Sequence, residues 1–229
     1  MLLLEERARR KSRRKLYTYY PDTGPLRREL YPKHMEFFRA GQYHRERLVV
    51  AANRIGKTEG IGGYETTLHL TGDYPPWWPG RRFERPISAW AAGDTSQTVR
   101  DIIQFKLLGP VGSYGTGLIP GERIAAVKNK AGSVPDTVES IGVRHVSGGV
   151  SVLGLKSYDQ RRVSFQGTEK DLIWLDEECP VDVYGECLLR TMTTNGMLLL
   201  TFTPLQGLSP MVLNFMPGGK IPNEQVPCE

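Results

Sequence analysis

Between Leu48 and Thr58 the chain is an apolar run that climbs into Gly56-Lys57-Thr58, and a small-residue segment with Gly60, Gly62 and Gly63 follows. A buried strand that delivers a phosphate-binding loop to the first turn of a helix has this shape. The loop turns backbone N–H groups toward an anion at the positive end of the helix. In such a loop Ala51, Ala52, Asn53, Arg54, Ile55, Gly56, Lys57 and Thr58 surround the phosphates. The Lys57 ammonium reaches the β and γ phosphates, and the Thr58 hydroxyl holds Mg²⁺. The usual pattern places glycine seven residues before the Thr, where this chain has Ala51, so the loop is a variant.

A strand–loop–helix opening of this kind calls for a sheet, and 229 residues can bury the core of one large α/β domain. Arg47–Ala52 is short and β-branched, as a buried strand should be. Pro86–Ala92 reads as another, followed by a Gly93-Asp94-Thr95-Ser96 turn that leads to an N-cap and an amphipathic helix over 97–108. Leu172–Leu175, closed by Asp176, and Leu198–Phe202 are further apolar strands. Val150–Leu155 and Arg162–Phe165 alternate like paired strands, while 109–140, rich in Gly and Pro, holds few firm elements. Ahead of the loop, a helix is expected from Leu30 through Ala40, with Gly41 as its stop. Tyr74–Gly80 carries prolines that forbid regular structure, and its Trp77 and Trp78 are expected to cap a core edge. Strands alternating with helices predict a mostly parallel sheet with helices on both faces, and ligands then sit at the C-terminal strand edges. Asn53–Thr58, Asp94-Thr95, Asp176-Glu177 and Thr203 all fall at such edges.

Leu172–Glu178 supplies a second piece of chemistry. A buried strand ending in adjacent carboxylates can divide two tasks. Asp176 reaches a Mg²⁺ shell, and Glu177 orients and deprotonates an attacking water, with Glu178 the weaker contender. Solvated acids at a strand end are the plain alternative, and pairing with the Lys57 loop argues against it. A third piece, Thr201–Gly207, ends a strand in hydroxyls before Pro204 breaks it. Those hydroxyls can bond a γ-phosphate or its water.

Charge and cysteine bound the setting. The net charge of +5 is unevenly spread, with Arg7, Arg9, Arg10, Lys11, Arg13, Arg14 and Lys15 crowding the start. Such a cluster is a solvated tail or an arm that contacts phosphates or a neighbouring subunit. Cys179, Cys187 and Cys228 are scattered and lack metal-ligand spacing, which suits free thiols in a reducing compartment. No apolar stretch is long enough to span a bilayer.

In order, the Ala51–Thr58 loop, the apolar Asp176-Glu177 strand and the Thr201-Phe202-Thr203-Pro204 strand end resemble the large terminase subunit of tailed bacteriophages. The resemblance covers roughly residues 30–210 and implies an ASCE-type P-loop NTPase fold. It implies an ATPase that uses Mg²⁺ to drive double-stranded DNA into a procapsid, gripping the backbone without regard to sequence. Thr58 and Asp176 then hold the metal, Glu177 is the catalytic glutamate, and Thr201 and Thr203 belong to the coupling motif. Arg54 acts in cis on the phosphates, or else merely binds a neighbouring carboxylate. His34 stands where the family tends to place an adenine-recognising glutamine, with a surface histidine as the alternative. Arg161, Arg162 and Arg100 are candidates for a trans-acting arginine. The implied partners are DNA, the portal protein, the small terminase subunit and further copies in a ring, a monomer being the alternative for the isolated chain. The implied setting is the host cytoplasm. Residues 1–29 read as a basic segment and linker, 30–215 as the ATPase domain, and 216–229 as a linker toward a nuclease domain whose activity is not expected of this chain. A helicase-like motor and a nucleotide-binding scaffold without significant turnover are the competing readings.

Overall fold

Residues 14–52, 55–131, 134–204, 207 and 209–216 are described by a computed structural model. Asn53 and Arg54 of the loop, the arginines and lysine from Arg7 to Arg13, Leu205 and Gln206 of the third motif, and the expected linker from 217 onward lie outside the described residues.

The short apolar runs become strands: β1 (Glu46–Val50), β2 (Ser88–Gly93), β3 (Ile124–Asn129), β4 (Val138–Arg144), β5 (Val150–Ser157), β6 (Leu172–Asp176) and β7 (Met197–Phe202). They form a seven-stranded sheet in the order β1-β7-β6-β2-β5-β4-β3. The pairs β1·β7, β7·β6, β6·β2 and β2·β5 are parallel, while β5·β4 and β4·β3 are antiparallel. A parallel body therefore carries an antiparallel wing. Every residue of β6 and β7 is buried, as strands covered on both faces require. β7 lies between the strand that feeds the phosphate loop and the strand that ends in the acids, so three motifs distant in sequence finish side by side.

One face of the body packs on α1 (Pro32–Ala40), on the helix behind the loop and on α3 (residues 96–108). The helix behind the loop opens with wide turns over Lys57–Gly63 and continues as α2 (Tyr64–Thr71). Gly62 is required by this contact, because a Cβ there would lie 2.2 Å from the Trp174 ring on β6. α3 starts at a Thr95 cap whose hydroxyl accepts from the Thr98 N–H, with Thr98 returning the bond. The opposite face is covered by α4 (Val181–Met192), α5 (Pro210–Asn214) and the turns at Tyr158–Gln160 and Arg162–Phe165, around Trp90, Ile173, Leu198 and Phe202. Trp78 is buried with its ring centroid 4.8 Å from that of Phe38, so it caps the core.

A buried ion cluster ties β1 to the helix behind the loop. Arg47 Nη2 donates to Glu65 Oε1 at 2.7 Å, and His69 Nε2 lies 3.1 Å from the same oxygen. Burial alone would raise the Glu65 pKa, but the Arg47 guanidinium and His69 outweigh it and hold it below the usual value.

Two expectations need correction. Residues 109–140 contain β3 and the start of β4, strands whose small residues (Ala125, Ala126, Ser140, Gly142) weaken the strand signal. Arg162–Phe165 is a tight turn with Phe165 buried against Trp90, and β5 pairs with β2 and β4 instead. The chain between the acids and β7 forms α4, where the sequence pattern suggests no element. The second half of the basic lead-in also joins the packed body, since Leu16 and Tyr20 are buried in the main core cluster.

Candidate functional site

β1, β6, β7 and β2 all deliver their C-terminal ends to one edge of the sheet. Gly56 adopts φ +87°, a left-handed conformation that glycine takes without strain, and turns the chain into the first helical turn. Gly60 N–H donates to the Gly56 carbonyl at 2.7 Å. Lys57, buried at the helix start, sends its ammonium back across the loop mouth. Nζ donates to the Ala52 carbonyl at 2.9 Å and to Thr203 Oγ1 at 2.7 Å. Thr203 Oγ1 in turn donates to the Ala51 carbonyl at 3.0 Å. Strand end and loop are thus laced together through one lysine and one hydroxyl.

Asp176 is the second focus. Its Oδ1 accepts from Thr58 Oγ1 at 3.1 Å and from Thr201 Oγ1 at 2.7 Å. The Thr201 hydroxyl also accepts from Trp174 Nε1 at 2.8 Å. An indole N–H only donates, so the Thr201 proton is left for the carboxylate. Burial pushes the Asp176 pKa up to about 7, opposed by the Thr201 bond and reinforced by the charge of Glu177. Glu177 is half-buried, and burial raises its pKa as well, with Lys57 opposing and Asp94 adding to the rise. Glu177 sits at φ +65°, which costs a residue with a Cβ about 1 kcal/mol. Two hydrogen bonds hold this backbone: Glu177 N–H donates to the Thr201 carbonyl at 2.9 Å, and Tyr158 Oη donates to the Asp176 carbonyl at 3.0 Å.

The charges here are unusual in their company. Lys57 is bonded to a carbonyl and a hydroxyl, and Asp176 to hydroxyls, with no salt bridge to either among the described residues. A buried ammonium without a carboxylate fits an anionic ligand. A buried carboxylate ringed by hydroxyls fits a hard cation. No group of three or more His, Cys, Asp or Glu able to cage a metal occurs among the described residues. Mg²⁺ needs none, since it is bound through one or two protein groups plus substrate phosphates and water.

Beside the loop opens a cavity of about 540 Å³, lined by Tyr31, His34, Ile55, Gly56 and Gly60 among others. Tyr20 Oη donates to the Gly60 carbonyl at 2.6 Å and lies 2.7 Å from His34 Nδ1. With the phenol proton committed to Gly60, His34 carries its own proton on Nδ1 and keeps Nε2 as an acceptor. Burial lowers the His34 pKa, which favours that neutral ring.

Lys57 with Thr203, and Asp176 with Thr58 and Thr201, therefore form two hydrogen-bonded groups at the same sheet edge, with Glu177 next to the second. Ala51 and Ala52 contribute carbonyls, while Ile55, Gly56 and His34 face the cavity. Arg54 and Asn53 lie outside the described residues. The three further arginines differ. Arg162 Nε bonds Glu186 at 3.0 Å and Arg100 Nε bonds Asp101 at 2.7 Å. Arg161 is exposed and its guanidinium has no carboxylate partner among the described residues. Tyr158, Trp174 and Tyr20 are functional positions that the sequence reading omits. A tyrosine at a strand end carries no local signal of the carbonyl it will reach.

A family model described as "Terminase large subunit, T4likevirus-type, N-terminal" matches residues 48–223. The large terminase subunit of Salmonella phage P22 is 35% identical over 234 residues, which covers 93% of this chain and 45% of that protein. A crystal structure of the large terminase from the thermophilic bacteriophage D6E matches with a TM-score of 0.51 at 13% identity, over 75% of this chain and 37% of the other. At that identity the likeness is one of fold. Another crystal form of the D6E protein, in complex with ADP, gives a TM-score of 0.48 at 14% identity. The chain spans less than half the length of these relatives.

Proposed function

The chain belongs to the terminase large-subunit family, and from that premise we propose that it is the Mg²⁺-dependent, ATP-hydrolysing motor domain that powers translocation of double-stranded DNA into a procapsid. The observation that carries this proposal is the convergence of Thr58 and Thr201 on Asp176 while Lys57 bonds Thr203.

Lys57 exchanges its bonds to Ala52 and Thr203 for oxygens of the β and γ phosphates. Thr58 and Asp176 are the groups that hold Mg²⁺, which neutralises charge on the phosphates when bound. Asp176 would be held ionised, despite its burial, by the charge of the bound cation. Glu177 aligns the attacking water and takes its proton. Its raised pKa brings it closer to neutrality, where a general base works best. Arg54 contributes from within the loop as a cis arginine. His34, with Nε2 as acceptor, suits the exocyclic amine of adenine.

Thr201 and Thr203 lie one on each side of Phe202, and each bonds a different half of the site. Loss of the γ-phosphate returns Lys57 to Thr203, which is how hydrolysis reaches β7 and the segment after it. Of the arginines proposed to act in trans, the unpaired guanidinium favours Arg161 over Arg162 and Arg100. The proposed setting is the host cytoplasm. The partners there are the portal protein, the small terminase subunit and further copies in a ring.

Glu177→Gln tests the assignment. Turnover should fall by roughly 10²–10⁴ while nucleotide affinity stays within about twofold. Parental turnover in that variant would remove Glu177 from the role of base.

A further inference from the structure

The antiparallel wing has a face that no helix among the described residues covers. On β5, Ser151, Leu153, Leu155 and Ser157 point into the core, while Val150, Val152, Gly154 and Lys156 point the other way. Val150 and Val152 are each 47% exposed. Register carries this outer face across the sheet: Lys128 opposes Ser140, Ser140 opposes Gly154, and Gly154 opposes Trp90. Two rows along, past Gly142 opposite Val152, Arg144 opposes Val150. The floor is therefore flat and built of small residues, and cations stand around it.

Where the wing meets the parallel body, a groove of about 310 Å³ is lined by Trp90, Lys130, Ser140, Gly154, Lys156 and Lys170 among others. The Lys156 and Lys170 ammonium groups lie 4.6 Å and 4.9 Å from the centroid of the same indole, that of Trp90. Lys170 is only 6% exposed, and its Nζ is bonded to the hydroxyls of Ser88 and Thr168 at 2.8 Å and 2.7 Å. Lys156 Nζ bonds the Ser164 carbonyl. Neither lysine has a carboxylate partner among the described residues. The nearby acids are engaged elsewhere: Glu139 with Lys128 at 2.7 Å, and Asp171 with Arg85 at 2.6 Å. Arg144 Nη1 bonds the Glu122 and Ile124 carbonyls, and the guanidinium has no carboxylate partner among the described residues.

Two like charges crowded over one ring are costly to bury without an anion, and an indole face offsets only part of that cost. Burial lowers the pKa of both lysines and Lys156 lowers that of Lys170 further, opposed by Asp171 for Lys170 and, for Lys156, by Glu139, which also lines the groove. Lysines are compact point charges that suit phosphate oxygens. A level floor of Gly, Ser and Val beneath them admits a broad polyanion edge-on. It offers little that would read base edges.

We infer that this groove and the open wing face around it, with Lys130, Lys156 and Lys170 at their centre, form a docking surface for the phosphate backbone of duplex DNA. The inference rests on the motor reading above, to which it adds the place of contact. Ser88 and Ser140 supply hydroxyls beside the ammonium groups. Contacts of this kind are blind to sequence, as transport of an arbitrary genome requires.

The test is fluorescence anisotropy of a labelled, mixed-sequence duplex bound by the whole chain at several salt concentrations. Parental affinity must fall steeply with salt. The double variant Lys130→Gln/Lys156→Gln should bind at least about tenfold more weakly near 0.1 M salt, with a log–log salt slope shallower by about two. Lys130→Gln alone, the milder change, should lower the slope by about one. Arg27→Gln/Arg39→Gln, which removes two charges outside the groove, should leave the slope near parental. ATP turnover without DNA should be unchanged in the groove variants, since neither lysine touches the nucleotide site.

Equal losses in the groove and control variants would reduce the effect to net charge and overturn the inference. Parental slopes in the groove variants, with the parental chain still binding DNA and hydrolysing ATP, would remove the groove and leave the motor reading standing. If the groove variants lost affinity for poly-glutamate and kept it for DNA, the surface would belong to an acidic protein partner. A parental chain that hydrolysed no ATP and bound no duplex would overturn both.

Discussion

Two buried charge clusters lie along the same helix and differ in how they are closed. In the first, Arg47, Glu65 and His69 bond one another, and His69 Nδ1 reaches Tyr74 Oη at 2.8 Å. Its opposite charges meet inside the protein. In the second, Lys57 and Asp176 meet only hydroxyls and carbonyls among the described residues. The first has the form of a structural clamp between β1 and the helix. The second has the form of a site whose missing members are a ligand's. Burial alone does not separate the two, because Lys57, Asp176 and Glu65 are all nearly inaccessible. The identity of the partners does.

The largest effect should come from opening the closed cluster. Glu65→Ala strands the Arg47 guanidinium in the core and should cost about 3–5 kcal/mol in denaturant unfolding. Any soluble folded fraction should keep its nucleotide affinity, because Glu65 touches no part of the loop mouth. Substituting the open cluster should do the reverse. Lys57→Met removes a buried charge that forms no salt bridge among the described residues, so the ligand-free chain should be as stable as the parent or up to about 1 kcal/mol more so. What should vanish is stabilisation by Mg²⁺ and a slowly hydrolysed ATP analogue, about 2.7 kcal/mol for the parent at a hundredfold excess over Kd. A variant that kept this ligand-induced melting shift would contradict the assignment of Lys57 to the phosphates.

The smallest effect is one of pH. Burial lowers the His69 pKa below its usual 6.5, so the unfolded chain takes up a proton on acidification that the native chain does not. Glu65, also depressed, acts in the same direction at lower pH. Stability should therefore be full above about pH 6.5 and fall as the pH drops through 6 and 5, with His69 responsible for the upper part of the decline. His69→Gln should flatten the upper part of that decline in thermal melts. An unchanged profile would mean that His69 is charged in the native cluster.

How far the site can be read from sequence follows from where its signals lie. Lys57, Thr58, Asp176 and Glu177 stand at the ends of strong apolar runs, so composition marks both the strand and the polar break. β3 and β4 lack that contrast, since Ala, Gly and Ser on an open face neither alternate sharply nor cluster. α4 is weakened by Gly185 and its β-branched residues, although Val183, Tyr184, Cys187 and Thr191 fall on one buried stripe. Arg162–Phe165 alternates like a strand, but the period of two comes from one buried aromatic in a turn. The bonds that orient the site, Tyr158 to the Asp176 carbonyl and Trp174 to Thr201, join residues far enough apart that only the folded sheet brings them together.

The left-handed twist of the chain at Glu177 has a consequence for how this protein can change. Glycine would sit there more comfortably than any other amino acid, so a search guided by thermal robustness alone would drift toward it and discard the carboxylate proposed above as the base. Durability and work are set against each other at a single peptide unit.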